Sequence, residues 1–216
     1  MRNYKRGYLG FATLLVAFTF IAASFQTPKN VLIIGDSISI GYTPFIQKAL
    51  TGVNVEHNPG NGGPTTRGVQ NIEKWLGDRE WDVITFNFGL HDMVHRDSSN
   101  KYDVVKGKIS VPLEDYRKNL QAIVDKLKET TATIIFINTT TVPENAAGRK
   151  VESPAQYNKI ALEVMKKNKI EVLDLYKTSL TVHPANSKPG NVHYTEQGYE
   201  LLAQPITDKI KSLLKK

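Results

Sequence analysis

Short apolar runs alternate along this chain with longer stretches in which apolar residues recur every three or four positions. The first run, residues 31–34, has four apolar residues, three of them β-branched, and predicts a strand buried on both faces. Four later runs share this character and lie at residues 53–56, 82–88, 133–138 and 171–174. We therefore predict five strands.

The stretches between these runs are typical of amphipathic helices. Five helices are predicted, at residues 44–50, 67–76, 113–130, 154–168 and 196–214. In the third, apolar residues recur at helical spacing and mark one buried face: Tyr116, Leu120, Ile123, Val124 and Leu127. The first helix is expected to begin a few residues after Gly35, with Pro44 near its first turn. Alternating strands and helices predict a three-layer α/β/α sandwich around a parallel sheet.

Polar segments follow the first three strands, at residues 35–37, 58–66 and 89–92, and a fourth, residues 191–195, precedes the last helix. In open parallel sheets the functional crevice lies beyond the carboxyl ends of the strands. All four segments are therefore expected at one edge of the sheet, which indicates a site there.

Ser37 stands between the first strand and the first helix. Unpaired N–H groups and the helix dipole favour negative charge at such a position, so Ser37 is a candidate nucleophile. The alternative is a serine that only caps the helix.

The glycine-rich turn at residues 60–63 also has two interpretations. It is either a tight turn that needs positive φ or a turn that brings a backbone N–H close to an oxyanion; it lacks the ending of a phosphate-binding P-loop.

The histidines supply the candidate bases. His193 precedes Thr195, a good helix N-cap, and is expected within reach of Ser37 to take its proton. His91 follows the third strand and is a further base or hydrogen-bond donor. His57 competes with them, whereas His95 and His183 are predicted in polar surface loops. Scattered histidines without closely spaced carboxylates predict no metal, and no cofactor is expected.

Composition and charge predict where the protein is found and exclude some classes of partner and nucleophile. Residues 1–24 have basic Arg2, Lys5 and Arg6, then an apolar run, and predict a signal peptide or an N-terminal anchor; residues 25–216 then form the single domain. The protein is expected to be exported, to the periplasm or the cell exterior, and to meet a membrane only through an uncleaved N-terminal segment. Removing residues 1–24 lowers the formal charge from +7 to +4, so no nucleic-acid partner is predicted. The absence of cysteine excludes a thiol nucleophile.

Together, the four polar segments resemble in order and spacing the blocks of the SGNH (GDSL-like) hydrolase superfamily. Gly-Asp-Ser at 35–37 is similar to its nucleophile block, and residues 58–66 are similar to its glycine block. Gly-Leu-His-Asp at 89–92 lies where that superfamily has Gly-x-Asn-Asp, and Val-His at 192–193 resembles its catalytic histidine block.

The resemblance implies a flavodoxin-like α/β/α fold and a serine esterase. It implies Ser37 as nucleophile and His193 as base, with the N–H groups of Ser37 and Gly63 forming the oxyanion hole together with His91. Two residues depart from the pattern. His91 replaces the usual Asn, and Gly190 lies where the acid that orients the histidine usually stands. Either the Asn191 side chain or a backbone carbonyl is then expected to hold His193, as a Ser–His dyad.

For a secreted enzyme of this type the resemblance favours removal of O-acetyl groups from carbohydrate. The alternatives are a lysophospholipase-like acyl hydrolase and a non-catalytic glycan-binding module on the same fold. The partner expected is a small-molecule or glycan ester. The polar connection 93–110, which contains Arg96, Lys101, Tyr102 and Lys106, is either part of a sugar site or a mobile surface loop.

Overall fold

The structure, a computed structural model, describes residues 27–215, and a five-stranded parallel sheet forms its centre. In chain order the strands are β1 Lys29–Ile34, β2 Val53–His57, β3 Val83–Phe86, β4 His95–Arg96, β5 Lys108–Ile109, β6 Thr133–Ile137 and β7 Glu171–Leu173. The helices are α1 Ser37–Ala49, α2 Thr65–Leu76, α3 Leu113–Leu127, α4 Ser153–Asn168, α5 Leu175–Asn186 and α6 Glu196–Leu214.

The order of the strands explains where a site can form. The sheet runs β2-β1-β3-β6-β7 with every pair parallel, and β4 and β5 form a separate antiparallel pair. The chain therefore passes from β1 to β2 on one side and then to β3 on the other. Such a reversal opens a crevice at the carboxyl ends of β1 and β3.

Helices cover both faces of the sheet. Helix α6 packs against α1 and α5, whereas α3 packs against α2 and α4. The four residues of β1 from Val31 to Ile34 are all at most 2 % exposed, which accounts for their continuous apolar run. The apolar positions predicted on α3, from Tyr116 to Leu127, are fully buried. The predicted α/β/α sandwich is confirmed.

All five predicted strands and all five predicted helices are present, but α1 begins earlier than predicted. It starts at Ser37, so Pro44 lies inside the helix and not near its first turn. The reason is Asp36, whose side chain accepts the Ile38 N–H at 2.9 Å and caps the helix directly after β1. Ser37 is the first residue of the helix, and the cap is its neighbour.

The prediction for His183 is wrong. It lies on α5, a helix that the sequence pattern did not reveal, and only 6 % of it is exposed. Helix α5 carries few regularly spaced apolar residues and contains Pro184, so it lacks a clear amphipathic period. Its start is fixed by Asp174, whose side chain accepts the Lys177 N–H.

The connection 93–110 has structure of its own. It contains the β4–β5 pair, and His95 lies in β4 and is half-buried, not in a surface loop. Tyr102 forms an additional bridge with Arg96. Of the helices in residues 27–215, none combines the length and the apolar character that crossing a membrane requires. The predicted signal peptide at residues 1–24 lies outside the described residues.

Candidate active site

The polar segments that follow the strands line one open cavity at the crevice between β1 and β3. Its volume, ≈ 410 Å³, lies within the range of small-molecule sites. The lining residues are Asp36, Ser37, Asn61, Leu90, His91, Tyr102, Ala147, Arg149, Gly190, Asn191, Val192 and His193. The structure thus brings Ser37, His91, Gly190, Asn191 and His193 together although they are far apart in sequence.

Ser37 and His193 are in direct contact. The Ser37 Oγ lies 2.9 Å from His193 Nε2, across a separation of 156 residues. Ser37 is held at the start of α1, just beyond β1, and His193 stands just before α6, whose first turn is capped by Thr195. This distance suits transfer of the serine proton to the imidazole.

The other ring nitrogen of His193 contacts an amide and not a carboxylate. Asn191 Oδ1 lies 2.9 Å from His193 Nδ1 and also accepts the backbone N–H of His193 at 2.9 Å. The backbone N–H can only donate, so the facing Asn191 atom is the carbonyl oxygen, and Nδ1 must carry the proton. Nε2 is then the unprotonated nitrogen, as a base for Ser37 requires. Within residues 27–215, no carboxylate bonds this imidazole.

The backbone conformation at Gly190 explains why no acidic residue stands three positions before His193. Its φ is +67°, and a Cβ at this position would lie 3.1 Å from the carbonyl oxygen of Asn145. An aspartate would be strained in that conformation and crowded by its neighbour. The turn that brings Asn191 and His193 to the cavity therefore favours glycine at the very position where the superfamily carries its acid.

The segment that carries Asn191 is anchored from α5. His183 Nε2 lies 2.7 Å from the Asn191 carbonyl oxygen, so this nitrogen donates to it. The His183 ring also meets Tyr194 edge to face, with ring centres 5.2 Å apart. The buried histidine therefore holds the loop on which His193 stands, a role that its sequence context did not indicate.

The glycine turn fits against β1 but does not present a free N–H at Gly63. The Gly62 N–H donates to the Gly35 carbonyl at 2.8 Å, and a Cβ on Gly62 would lie 2.5 Å from that oxygen. The N–H of Gly63, whose φ is +65°, donates to Asn61 Oδ1 at 2.8 Å. The Ser37 N–H donates to no acceptor within residues 27–215.

His91 lies on the wall of the cavity, with Nε2 4.0 Å from Asp36 Oδ2. Burial lowers the pKa of His91, and the nearby charges of Arg149, Arg96 and His193 lower it further, whereas Asp36 opposes the shift. The imidazole is therefore neutral at neutral pH and keeps one N–H that can donate into the cavity.

Sequence reasoning missed Asn61 and Arg149 as members of the site. Asn61 lies within the glycine-rich turn at residues 60–63, where the two interpretations of the turn involve only the backbone. Arg149 lies in the connection from β6 to α4. The β6–α4 connection also begins at the carboxyl end of a strand, where sites are expected. That rule does not single out Arg149, which lies twelve positions beyond Ile137, the last residue of β6.

The remaining histidines lie away from the cavity wall. His57 pairs with Ser39, and His95 Nδ1 lies 3.4 Å from the Gly148 carbonyl oxygen. Within residues 27–215, no three His, Asp or Glu side chains are grouped so that they could hold a metal ion.

The sequence matches the model of a known protein family. Residues 33–201 match the model of the GDSL-like Lipase/Acylhydrolase family, a range that includes Ser37, Gly63, His91 and His193. No curated protein matches the chain.

Solved structures share the fold at low sequence identity. A lipase/acylhydrolase from Enterococcus faecalis is 22% identical, with TM-score 0.68 over 85% of this chain and 96% of that one. The acetylxylan esterase Axe2 from Geobacillus stearothermophilus is 16% identical, with TM-score 0.66 over 85% and 94%. The psychrotrophic esterase EstA from Pseudoalteromonas sp. is 12% identical, with TM-score 0.66 over 87% and 100%.

Proposed function

The chain belongs to the GDSL-like lipase/acylhydrolase family and is a carboxylic ester hydrolase, and on that premise we propose that it removes O-acetyl groups from carbohydrate through Ser37 and His193. The observation that carries the proposal is the 2.9 Å contact between Ser37 Oγ and His193 Nε2 at the wall of an open cavity.

The chemistry follows from the tautomer that Asn191 selects. His193 Nε2 takes the proton of the Ser37 hydroxyl while Oγ bonds to the ester carbonyl carbon, and the carbonyl oxygen becomes an oxyanion. The imidazolium then returns the proton to the leaving alcohol as the ester C–O bond breaks, leaving an acyl-serine. Water, deprotonated by His193, attacks this acyl group and releases the acid and free Ser37.

Three N–H groups are proposed to bind the oxyanion: those of Ser37, Gly63 and His91. The Ser37 N–H is available in the first turn of α1, where the helix dipole adds to its effect. The Gly63 N–H donates to Asn61 Oδ1, so its use requires Asn61 to turn aside or to share that hydrogen. Neutral His91 supplies the donor that an asparagine amide supplies in the usual pattern of the superfamily.

The cavity supports a small acyl group on a polar alcohol. Eight of its twelve lining residues carry a polar or charged side-chain group, and the aliphatic side chains that line it are only Leu90, Ala147 and Val192. Two structures with the same fold are acetyl xylan esterases by name, at 18% and 16% identity. These points favour an acetylated sugar over a lipid.

The experiment compares wild type with Ser37→Ala on 4-nitrophenyl acetate and on acetylated oligosaccharides. The matched control is Ser212→Ala, an exposed serine on α6 at the end of the helix remote from His193. Wild type and Ser212→Ala should release acetate at equal rates, and Ser37→Ala should be at least about 1,000-fold slower. Equal rates for wild type and Ser37→Ala would overturn the mechanism. Faster release of long acyl chains than of acetate would overturn the substrate class.

We also propose that residues 1–24 direct export and that residues 25–216 form the active domain. The support is the basic start and the apolar run of the sequence. Cell fractionation with N-terminal sequencing tests this proposal, and full-length protein recovered from the cytoplasm would contradict it.

A further inference from the structure

Arg149 is an arginine on the cavity wall whose guanidinium has no carboxylate partner within residues 27–215. Its Nε donates to the Leu90 carbonyl at 2.7 Å and its Nη1 to the Ala147 carbonyl at 3.2 Å. Two backbone carbonyls thus fix the plane of the group. The second terminal nitrogen, Nη2, donates to no acceptor in the described part of the chain.

The surroundings do not neutralise this charge. Arg149 and Asp36 are the charged residues that line the cavity, Arg96 lies close by over the Tyr102 ring, and the neighbouring His91 is neutral at neutral pH. Asp36 is 2 % exposed and is committed to capping α1. The positive charges of Arg149 and the nearby Arg96 are therefore opposed by one buried carboxylate, which favours an anion at this end of the cavity.

The aromatic ring next to Arg149 is held in place as well. Tyr102 also lines the cavity and is 50% exposed, with the Arg96 guanidinium 4.3 Å above its ring. The edge of the ring packs against Gly148, where a Cβ would lie 2.7 Å from Tyr102 Cδ1. Gly148 thus lets the aromatic ring and Arg149 lie at the same rim.

We propose that Arg149 binds an anionic group of the substrate, a carboxylate or a sulfate, so that the ester cleaved belongs to an acidic sugar. This inference rests on the proposed function and specifies its substrate. A guanidinium fixed by two backbone hydrogen bonds presents its remaining N–H groups to an anion with little loss of side-chain freedom. Tyr102 offers an apolar ring for the sugar face. The polar side chains that make up most of the lining residues favour a glycan over an anionic lipid.

The test measures kcat/KM for two sugars that differ in one group: mono-O-acetylated methyl galacturonoside, with a carboxylate, and mono-O-acetylated methyl galactoside, compared isomer by isomer. A sulfated galactoside distinguishes the two sources of negative charge. Wild type should prefer an anionic sugar about 10- to 100-fold, as expected for one charge-assisted contact, and the preference should shrink as salt is raised.

Arg149→Met should abolish this preference, and Arg149→Lys should restore part of it. The matched control, Arg117→Met, removes a partly exposed arginine that pairs with Glu163 on the helices away from the cavity, and it should keep the wild-type ratio. A purely structural Arg149 would lower the rates on charged and neutral sugars alike and leave their ratio unchanged, which would overturn the inference.

The outcomes separate this inference from the proposed function. Ser37-dependent hydrolysis of acetylated sugars without an anionic preference overturns the role of Arg149 alone. The absence of Ser37-dependent hydrolysis on every sugar overturns the proposed function. A higher kcat/KM on an anionic lysophospholipid than on any of the sugars would assign Arg149 to a lipid phosphate. It would overturn the proposal that the substrate is a glycan.

Discussion

Two serine–histidine pairs lie at the start of α1, and only one of them lines the cavity. Ser37 Oγ is 2.9 Å from His193 Nε2, and Ser39 Oγ is 2.6 Å from His57 Nε2. In both pairs an oxygen faces the other ring nitrogen: Asn191 Oδ1 at 2.9 Å from His193 Nδ1, and the Asn58 carbonyl at 2.7 Å from His57 Nδ1. By hydrogen-bond geometry the two pairs are nearly equivalent.

Their surroundings separate them. Two residues along an α-helix lie about 200° apart around its axis, so Ser39 points away from the cavity that Ser37 lines. Ser39 is 1% exposed and also contacts the Asp36 carbonyl at 2.7 Å. No ester can approach its oxygen. The comparison teaches that access to substrate, not the serine–histidine contact, identifies a candidate nucleophile.

The largest loss of activity is expected when the histidine of the exposed pair is replaced, and the same change in the buried pair is the comparison. His193→Gln should lower kcat/KM on 4-nitrophenyl acetate at least about 1,000-fold, because glutamine cannot take the serine proton. His57→Gln should lower it less than about 10-fold, since the buried pair only supports the turn after β1. Initial rates at saturating and limiting substrate measure both. Similar losses in the two variants would break the distinction between the pairs.

A smaller effect is expected at Asn191, the partner of the exposed pair. Asn191→Ala should lower kcat about 10- to 100-fold, because the imidazole loses the bond that sets its tautomer. Asn191→Asp should keep activity and move the acid limb of the pH–rate profile upward by about one unit, since a carboxylate favours the imidazolium. Asn71→Asp on α2 adds the same charge away from the cavity. A profile for Asn191→Asp that coincides with this control would refute the contact.

The smallest effect belongs to the buried pair and concerns stability. Burial lowers the pKa of His57, although the Asn58 carbonyl and Asp36 oppose the shift. Below about pH 6.5 the unfolded chain then binds a proton that the folded chain does not, so the free energy of unfolding falls as the pH decreases from 7 towards 5.

Urea unfolding at pH 7 and pH 5 measures this dependence. His57→Gln should lose less stability over that interval than wild type, and the difference between the two proteins isolates His57 from His91, which titrates in both. If wild type loses no more stability than His57→Gln, the buried pair does not carry this pH dependence.

The strand pattern and the order of the polar segments were sufficient to predict the sheet and to place Ser37 and His193 at one edge. They were sufficient because buried parallel strands are continuous apolar runs, and because topology fixes which ends meet. Helix α5 was missed since it is held by the Asp174 cap and by packing of Leu175, Val182 and His183, not by a regular apolar face.

The fine structure of the site was harder to predict. The sequence left two partners open for His193, the Asn191 side chain and a backbone carbonyl. The structure has the Asn191 side chain there, and this choice depends on the turn at Gly190, whose positive φ no local pattern reveals. The position of Arg149 depends on the path of the whole β6–α4 connection and on two backbone carbonyls that accept from its guanidinium. Such contacts arise from tertiary structure and have no periodic signal in the sequence.

The separation of 156 residues between Ser37 and His193 has a consequence for protein synthesis. The ribosome delivers β1 and Ser37 early, but the base arrives only after another 155 residues have been added. Until α6 docks on α1, the nascent protein carries a serine without its proton acceptor. A chain truncated before residue 193 therefore emerges as an inert fragment, and esterase activity reports that synthesis has passed residue 193.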